Sequence, residues 1–596
     1  MTISTSIIKS VITAAAIGFV GVSSMNAVVA KPGVNETLQP DGTVVSIRLE
    51  GSYGNHRAYS SDGYLLTTDE EGYYVFADCG ADGLPVSTGI RAVNPEMRTP
   101  EIKSAISLLD QSRISDAFVR RNAVGKQNKM PVRKGPGLFS THFPSKGEQK
   151  TIVILVNFSN KAFELEDPLD FYTRQLNEEG FSDYGGTGSA RDFFVDNSYG
   201  QFLPTFDVYG PVTLTHPVSY YGTNDTWGND KRAHEMIIEA CQLLDDEIDF
   251  SQYDRNGDGV IDNVYVYYAG YGEADNGGAT TIWPHSYDIM YADPSKEYYF
   301  DGVQLNHYAC SNEVDHDTKA PAGIGTITHE FSHVMGLPDL YDTDNSGTFT
   351  PGEWNILDVG SYNNNSCTPP NYSSFERYAL DWMEPTLLTS PGEYSLDELS
   401  ASNQAFIIPT ENDNEYYLLE NRQLIGNDAY IPGHGMIVWH IDFVQDIWDY
   451  NIVNNSSKHQ YVDLVEADDI RSNKTRAGDS FPGTEGITSF GAETKPALLS
   501  WNNVSPGIDI TDIAESEDGI ITFTAKISNA AVDEILGSND STIRIDGRWV
   551  SGIGREVTVC DLSGKTVAIA GSNPVALEPG LYIVYAGSEK RKVLIK

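Results

Sequence analysis

Cysteine is scarce in this chain: Cys79, Cys241, Cys310, Cys367 and Cys560 are the five among 596 residues. They are widely scattered and form no Cys-x-x-Cys pair, which excludes a small disulfide-stapled scaffold, and their odd number leaves at least one thiol without a partner in the chain. Cations are scarce as well, with 40 Lys and Arg against 84 Asp and Glu and a formal net charge of −44. Nucleic acid and anionic membranes would repel such a chain, so neither is an expected partner. An acidic excess solubilises a surface and also supplies oxygen ligands for calcium. Long apolar runs are missing beyond the N-terminus, and no later segment is apolar enough to span a bilayer. The N-terminus itself reads as a signal peptide over residues 1–30. Lys9 supplies its positive charge, residues 11–24 the apolar segment, and Val28, Val29 and Ala30 a small-residue cleavage site before Lys31. That apolar run is too short to favour a membrane anchor.

At 596 residues the chain exceeds a single core, and three or four domains are expected. Residues 31–119 form a first β-rich unit, with strands near 44–49 and 73–77 broken by the turn pairs Asp62-Gly63 and Glu71-Gly72. Residues 120–150 carry Arg120, Arg121, Lys126, Lys129, Arg133 and Lys134 with almost no acid, and read as an exposed linker suited to activation cleavage. Residues 151–158 are a short apolar run that opens a domain over 151–384 as a buried strand. Ala233, Met236, Ile237, Ala240, Cys241 and Leu244 recur at helical spacing, and residues 263–270 give another strand. This alternation predicts a mixed sheet with two long helices. Residues 385–530 turn to β patterns that read as a sandwich, and residues 541–596 as a separate small β unit.

The second of the two helices carries the chemistry. His329 and His333 stand at i and i+4, on one helix face, where both imidazoles can reach one metal ion. Glu330 lies about 100° further round, where its carboxylate flanks the metal as a general base instead of binding it. Gly336 suits a left-handed position past the helix end, and Pro338 cannot continue the helix. The resulting turn brings back Asp339 as a third zinc ligand and leaves the fourth tetrahedral position open for water. Glu353, twenty residues beyond His333, is the alternative third ligand, but Gly352 beside it does not read as a helix.

Two further segments have calcium-loop spacing. Asp254, Asn256, Asp258 and Asp262 supply oxygens at alternate positions around Gly259, although Tyr265 stands where a closing glutamate belongs. Asp342, Asp344, Ser346 and Glu353 have the whole twelve-residue spacing, without clear flanking helices. Each also reads as a metal-free Asp/Gly turn. Cys79 is a candidate thiolate for holding a catalytic metal latent, against the simpler reading of a free loop thiol. His285, His307 and His316 lack ligand spacing and read as structural.

Taken in order, residues 188–194, 197–202, 253–262 and 328–342, then Glu420-Asn421-Arg422-Gln423 and residues 479–483, resemble the immune inhibitor A-type secreted metalloproteases. The resemblance covers about 137 to the end of the sandwich, and it implies a metzincin-like zinc endopeptidase with Asp339 in place of a third histidine. Metzincins carry a methionine turn beneath the zinc; the matching residues 354–362 have Leu357 there, a swap of similar volume that costs under about 1.5 kcal/mol. Tyr362, just past the turn, is a candidate oxyanion donor, or else simply packs. The last 55 or so residues are similar to sorting domains of a type IX secretion system, which implies contact with secretion machinery.

The expected fold is therefore an α+β multidomain chain: a metzincin-like zinc protease domain of mixed sheet and active-site helices, preceded by a β-rich propeptide and followed by β-sandwich domains. The expected activity is hydrolysis of protein substrates by metal-activated water, with Glu330 as base, in a secreted or cell-surface enzyme made as a zymogen. The competing reading is a calcium-stabilised adhesion or glycan-binding protein with a decayed protease domain. Intact His329, Glu330 and His333 favour the enzyme, and Leu357 leans the other way.

Overall fold

The structure, a computed structural model, describes residues 26–80, 84–109, 137–139, 143–225, 228–412, 414–527 and most of 543–595. Lys9, the apolar residues 11–24 and the cationic side chains of 120–134 lie outside the described residues. The molecule is mixed α/β and rich in sheets.

At its centre is a six-stranded sheet whose strands run, in spatial order, Asn26–Ala27, His285–Asp288, His307–Val314, Val264–Tyr271, Gly147–Asn157 and Phe202–Thr213. The last four are mutually parallel, while His285–Asp288 runs antiparallel to His307–Val314. The apolar run expected from residue 151 is thus the second half of a strand that starts at Gly147, so 147–150 are strand and not linker. Alternation along it divides two cores. Ile152, Ile154 and Val156 face the helix Ala233–Leu244, and Val153 and Leu155 face the helix Gly325–Val334 through Ile327 and Phe331. Burial on both faces explains why these strands read as continuous apolar runs.

Residues 35–91 form a six-stranded antiparallel meander, Asn35–Leu38 to Pro85–Arg91, in chain order. It docks on the central sheet: Tyr53 stacks on His285 with centroids 4.5 Å apart, and His56 stacks on Trp283.

Beyond residue 385, a five-stranded sheet (including Glu415–Arg422 and Gly435–Asp442) and a three-stranded sheet (Gly392–Leu396, Ile521–Ile527, Ile508–Glu515) share a core of Leu396, Phe406, Leu419, Val438, Ile510 and Phe523. The five-stranded sheet buries its other face as well. Leu418, Ile437, Trp439 and Ile441 join the cluster that holds Phe331, Leu337 and Leu357. Buried polar groups stitch the same junction: Arg422 pairs with Glu420 and Asp428 with no exposure of any of the three, and Asp479 accepts from Trp354 Nε1 at 3.0 Å. Among the described C-terminal residues, three-stranded and four-stranded sheets share a small core with Val550, Val557 and Val584.

Candidate metal centre

The helix Gly325–Val334 begins where Gly325 lets the following loop come close: Gly325 N donates to Ser366 O at 2.8 Å, and a Cβ at Gly325 would collide with the Ser361 carbonyl oxygen. It ends at Met335, with Gly336 at φ +98° and Leu337 N donating back to Ser332 O at 3.0 Å. This left-handed closure is the one expected from the sequence, and it returns the chain to the helix face that carries the histidines.

His329 Nε2, His333 Nε2 and Asp339 Oδ1 converge at 3.1–3.2 Å from one another, all fully buried side chains. Among the described residues this is the one cluster of three His, Cys, Asp or Glu side chains whose ligand atoms come together. Glu353 is not part of it, since its carboxylate turns to Arg476 Nε at 2.9 Å.

The hydrogen bonds fix the tautomers. His329 Nδ1 meets Ile356 O at 2.7 Å and His333 Nδ1 meets Leu337 O at 2.8 Å. A carbonyl oxygen only accepts, so both protons sit on Nδ1 and both Nε2 atoms present bare lone pairs. Two lone pairs and a carboxylate oxygen pointed at one buried spot repel unless a cation lies among them. Their spacing is close to the edge of about 3.3 Å of a tetrahedron with metal bonds of about 2.0–2.1 Å. The residues therefore fit a divalent ion. Burial opposes charging His333, but Asp339 beside it lifts the imidazole to about 9. Burial likewise opposes the Asp339 carboxylate, yet the two imidazoles hold it well below the usual range.

Asp339 is oriented by a residue that no sequence motif singles out. Asn451 Nδ2 donates to Asp339 Oδ2 at 2.6 Å, and Asn451 Oδ1 accepts from Asp339 N at 2.7 Å, across 112 positions of chain. Asn451 is itself buried, with φ +51°. Leu357 is fully buried beneath the site, and its turn acts through the backbone: Ile356 O receives His329, and Leu357 O receives Leu340 N at 2.8 Å.

Glu330 is fully buried beside the cluster. Burial pushes its carboxyl up to about 8, with Asp339 adding to the rise and His333 opposing it. Its Oε1 accepts from Val28 N at 2.9 Å. Residues 26–31, the end of the expected signal peptide plus Lys31, run past Glu330. Asn26 and Ala27 pair antiparallel with Ser286 and His285. Tyr341 donates to Ala27 O, Trp283 Nε1 to Val28 O at 2.9 Å, and Tyr362 to Val29 O at 2.7 Å. Cys79 has no part in this. It ends the strand Tyr74–Cys79 and packs near Leu65 and Tyr59.

The two calcium-type loops hold themselves by turns of their own. Asp254 accepts from Asp258 N and Gly259 N, each at 3.0 Å, and Asp262 from Arg255 N at 3.0 Å. Asp342 accepts from Gly347 N at 2.7 Å and Thr348 N at 3.0 Å, and Asp344 from Ser346 N at 3.1 Å. Glu353, drawn away by Arg476, does not close the second loop. All five cysteines are free thiols.

Two helix histidines, a carboxylate returned by a tight turn and a glutamate beside them are the residue types that a metallohydrolase centre requires. Residues 141–387 match the family model described as the immune inhibitor A peptidase M6, catalytic domain. Among curated proteins it is similar to the "Pre-pro-metalloprotease PrtV" of Vibrio cholerae serotype O1, 25% identical over 330 residues, covering 47% of this chain and 35% of the relative. It is also similar to "Immune inhibitor A" of Bacillus thuringiensis subsp. alesti, 24% identical over 255 residues, 36% of each chain. The matched region thus spans about a third of the length of these relatives.

Proposed function

We propose that this protein is an exported zinc-dependent endopeptidase, made in a latent form whose residues 26–31 fill the catalytic cleft. The observation that carries the reading is the convergence of His329 Nε2, His333 Nε2 and Asp339 Oδ1 next to a buried Glu330. Further support comes from the match to the M6 catalytic domain and to a relative named as a metalloprotease.

When bound by His329, His333 and Asp339, zinc supplies a Lewis acid for the scissile carbonyl and acidifies a water molecule. Glu330 takes the proton from the attacking water and returns it to the leaving amine. Its Oε1 already faces an amide nitrogen, that of Val28, as this role requires. Tyr341 donates to the carbonyl of that same amide, at Ala27, where it can steady an oxyanion, and Tyr362 donates to the carbonyl of Val29, where it holds the peptide backbone. With Val28 N on Glu330 Oε1, the base is occupied and latency follows. The fully formed ligand set disfavours a decayed domain.

Latency of this kind requires that the exported chain keep residues 26–31, so its leader is removed ahead of Asn26 and not after Ala30. N-terminal sequencing of the latent secreted form tests this, and a start at Lys31 would refute it. Zymography on a protein substrate tests the activity. Cleavage by the activated wild type that is lost with chelator and in Glu330→Ala is expected; equal, chelator-insensitive signals would remove the reading. Export to the medium or cell surface and a sorting role for residues 541–596 belong to the same proposal. Retention of a chain truncated before residue 541 is the expected outcome.

A further inference from the structure

Lys31 is buried, 7% exposed, in a pocket on the catalytic domain. Its Nζ lies 2.9 Å from Asp275 Oδ1, 2.9 Å from Asp315 Oδ2 and 3.0 Å from Asp317 Oδ2. The Asp275 and Asp315 side chains are only 9% and 5% exposed, and among the described residues Lys31 is the one cation ion-paired with them. Both carboxylates are fixed by the catalytic domain: Asp275 Oδ2 accepts from His316 N at 2.6 Å, and Asp315 Oδ1 from Thr318 N at 2.8 Å. The peptide enters the pocket on a backbone bond from Lys31 N to Ala274 O of 2.9 Å.

The pocket has a defined register relative to the chemistry. The amide at Glu330 is that of Ala27 and Val28, with Ala27 O on Tyr341 and Val28 N on the carboxylate that must protonate a leaving amine. Counting on from that bond, Val28, Val29 and Ala30 occupy three positions and Lys31 the fourth. Removing residues 26–31 from the cleft leaves two buried, pre-oriented carboxylates with no cation, a costly arrangement that a basic side chain of an incoming peptide relieves.

We propose that Asp275 and Asp315 form a specificity subsite for lysine or arginine at the fourth residue after the scissile bond of a protein substrate. This rests on the protease reading above and deepens it. A substrate segment adds to the edge strand His285–Asp288 as residues 26–27 do, passes Glu330, and inserts its basic side chain between the two aspartates.

The test uses activated enzyme and internally quenched peptides of one sequence, with Lys, Arg, Ala or Glu at that fourth position and the cut site verified by mass. A preference for Lys and Arg over Ala of about tenfold in kcat/KM is expected, with Glu poorer than Ala. In Asp275→Asn/Asp315→Asn the preference should vanish while the Ala peptide is still cleaved. Equal cleavage of all four peptides by the wild type would overturn the subsite and leave the protease reading intact; cleavage of none would overturn both. A second measurement does not depend on the variant's folding: the hexapeptide of residues 26–31 should inhibit the wild type about tenfold more strongly than its Lys31→Ala analogue, and equal inhibition counts against the proposal.

Discussion

Replacing Asn451 by alanine tests whether the third ligand is held by a residue far away in sequence. The substitution removes two hydrogen bonds at once, from Asn451 Nδ2 to Asp339 Oδ2 and from Asp339 N to Asn451 Oδ1. Asp339 is fully buried, so no solvent takes either place. A bond to a charged group contributes about 1.5–3 kcal/mol and a neutral one about 0.5–1.5, a combined loss of about 2–4.5 kcal/mol. The backbone adds a separate cost, because alanine at φ +51° loses about 1–2 kcal/mol that glycine does not. Loss of ligand orientation should weaken zinc binding about 10–100-fold, in line with other partners that orient metal ligands.

Two variants separate these contributions. Asn451→Ala and Asn451→Gly should show the same fall in zinc affinity by competition with a chromogenic chelator. Asn451→Gly should keep more of the thermal stability of the metal-free protein. If both variants bound zinc within about twofold of the wild type, Asp339 would not depend on Asn451 and the reasoning would fail.

Further outcomes follow from other contacts. Lys31→Ala strips the cation from buried Asp275 and Asp315, weakening the seat of residues 26–31 by about 3–5 kcal/mol; the uncleaved chain should then turn over a peptide substrate, and unchanged latency would contradict the seat. Leu357→Met should change stability by under about 1.5 kcal/mol and leave activity near wild type, because the turn holds His329 and Leu340 through carbonyls of Ile356 and Leu357; a large gain in activity would mean that sulfur matters. Burial holds the His285 imidazole down at about 4, between Trp283 O and the Tyr308 hydroxyl. A depressed histidine lends stability that is complete above its unfolded value of about 6.5 and lost as pH falls towards 4, at most about 3 kcal/mol. Melting temperature should therefore drop more steeply from pH 6.5 to 4 in the wild type than in His285→Gln, and parallel profiles would refute the assignment.

The convergence of His329, His333 and Asp339 was legible because its information is local. His329, Glu330 and His333 sit within one helical turn or so, and Gly336 determines where the chain goes next, so spacing alone brings Asp339 back. The central strands were legible because burial on both faces writes itself as apolar runs, as in Gly147–Asn157. Asn451 was not legible. It lies in the asparagine-rich stretch of 451–455, where nothing separates a residue that holds a ligand from one in a solvated turn. The partner of Glu353 was not legible for a related reason: the loop spacing is right, but Arg476, more than a hundred positions away, pairs with the carboxylate.

Residues 26–30 admit two readings, since the same side chains satisfy two sets of physical demands. Small, apolar residues suit a signal-peptidase site, and they equally suit an extended segment buried against Trp283, Tyr341 and Tyr362 at a sheet edge. What distinguishes the two lies outside the segment. A cleavage site needs only to be accessible, whereas this segment is followed by a lysine with two buried carboxylates waiting for it. The pairing of Ala27 with His285, the bond from Val28 to Glu330 and the seat of Lys31 place one strand's worth of backbone in a single register. A one-residue slip would carry each side chain to the opposite face and pull the lysine from its pocket. The buried charge at residue 31 therefore fixes which peptide bond stands before the base. The same device that seats the chain's own segment in the cleft is available to read the substrate that replaces it.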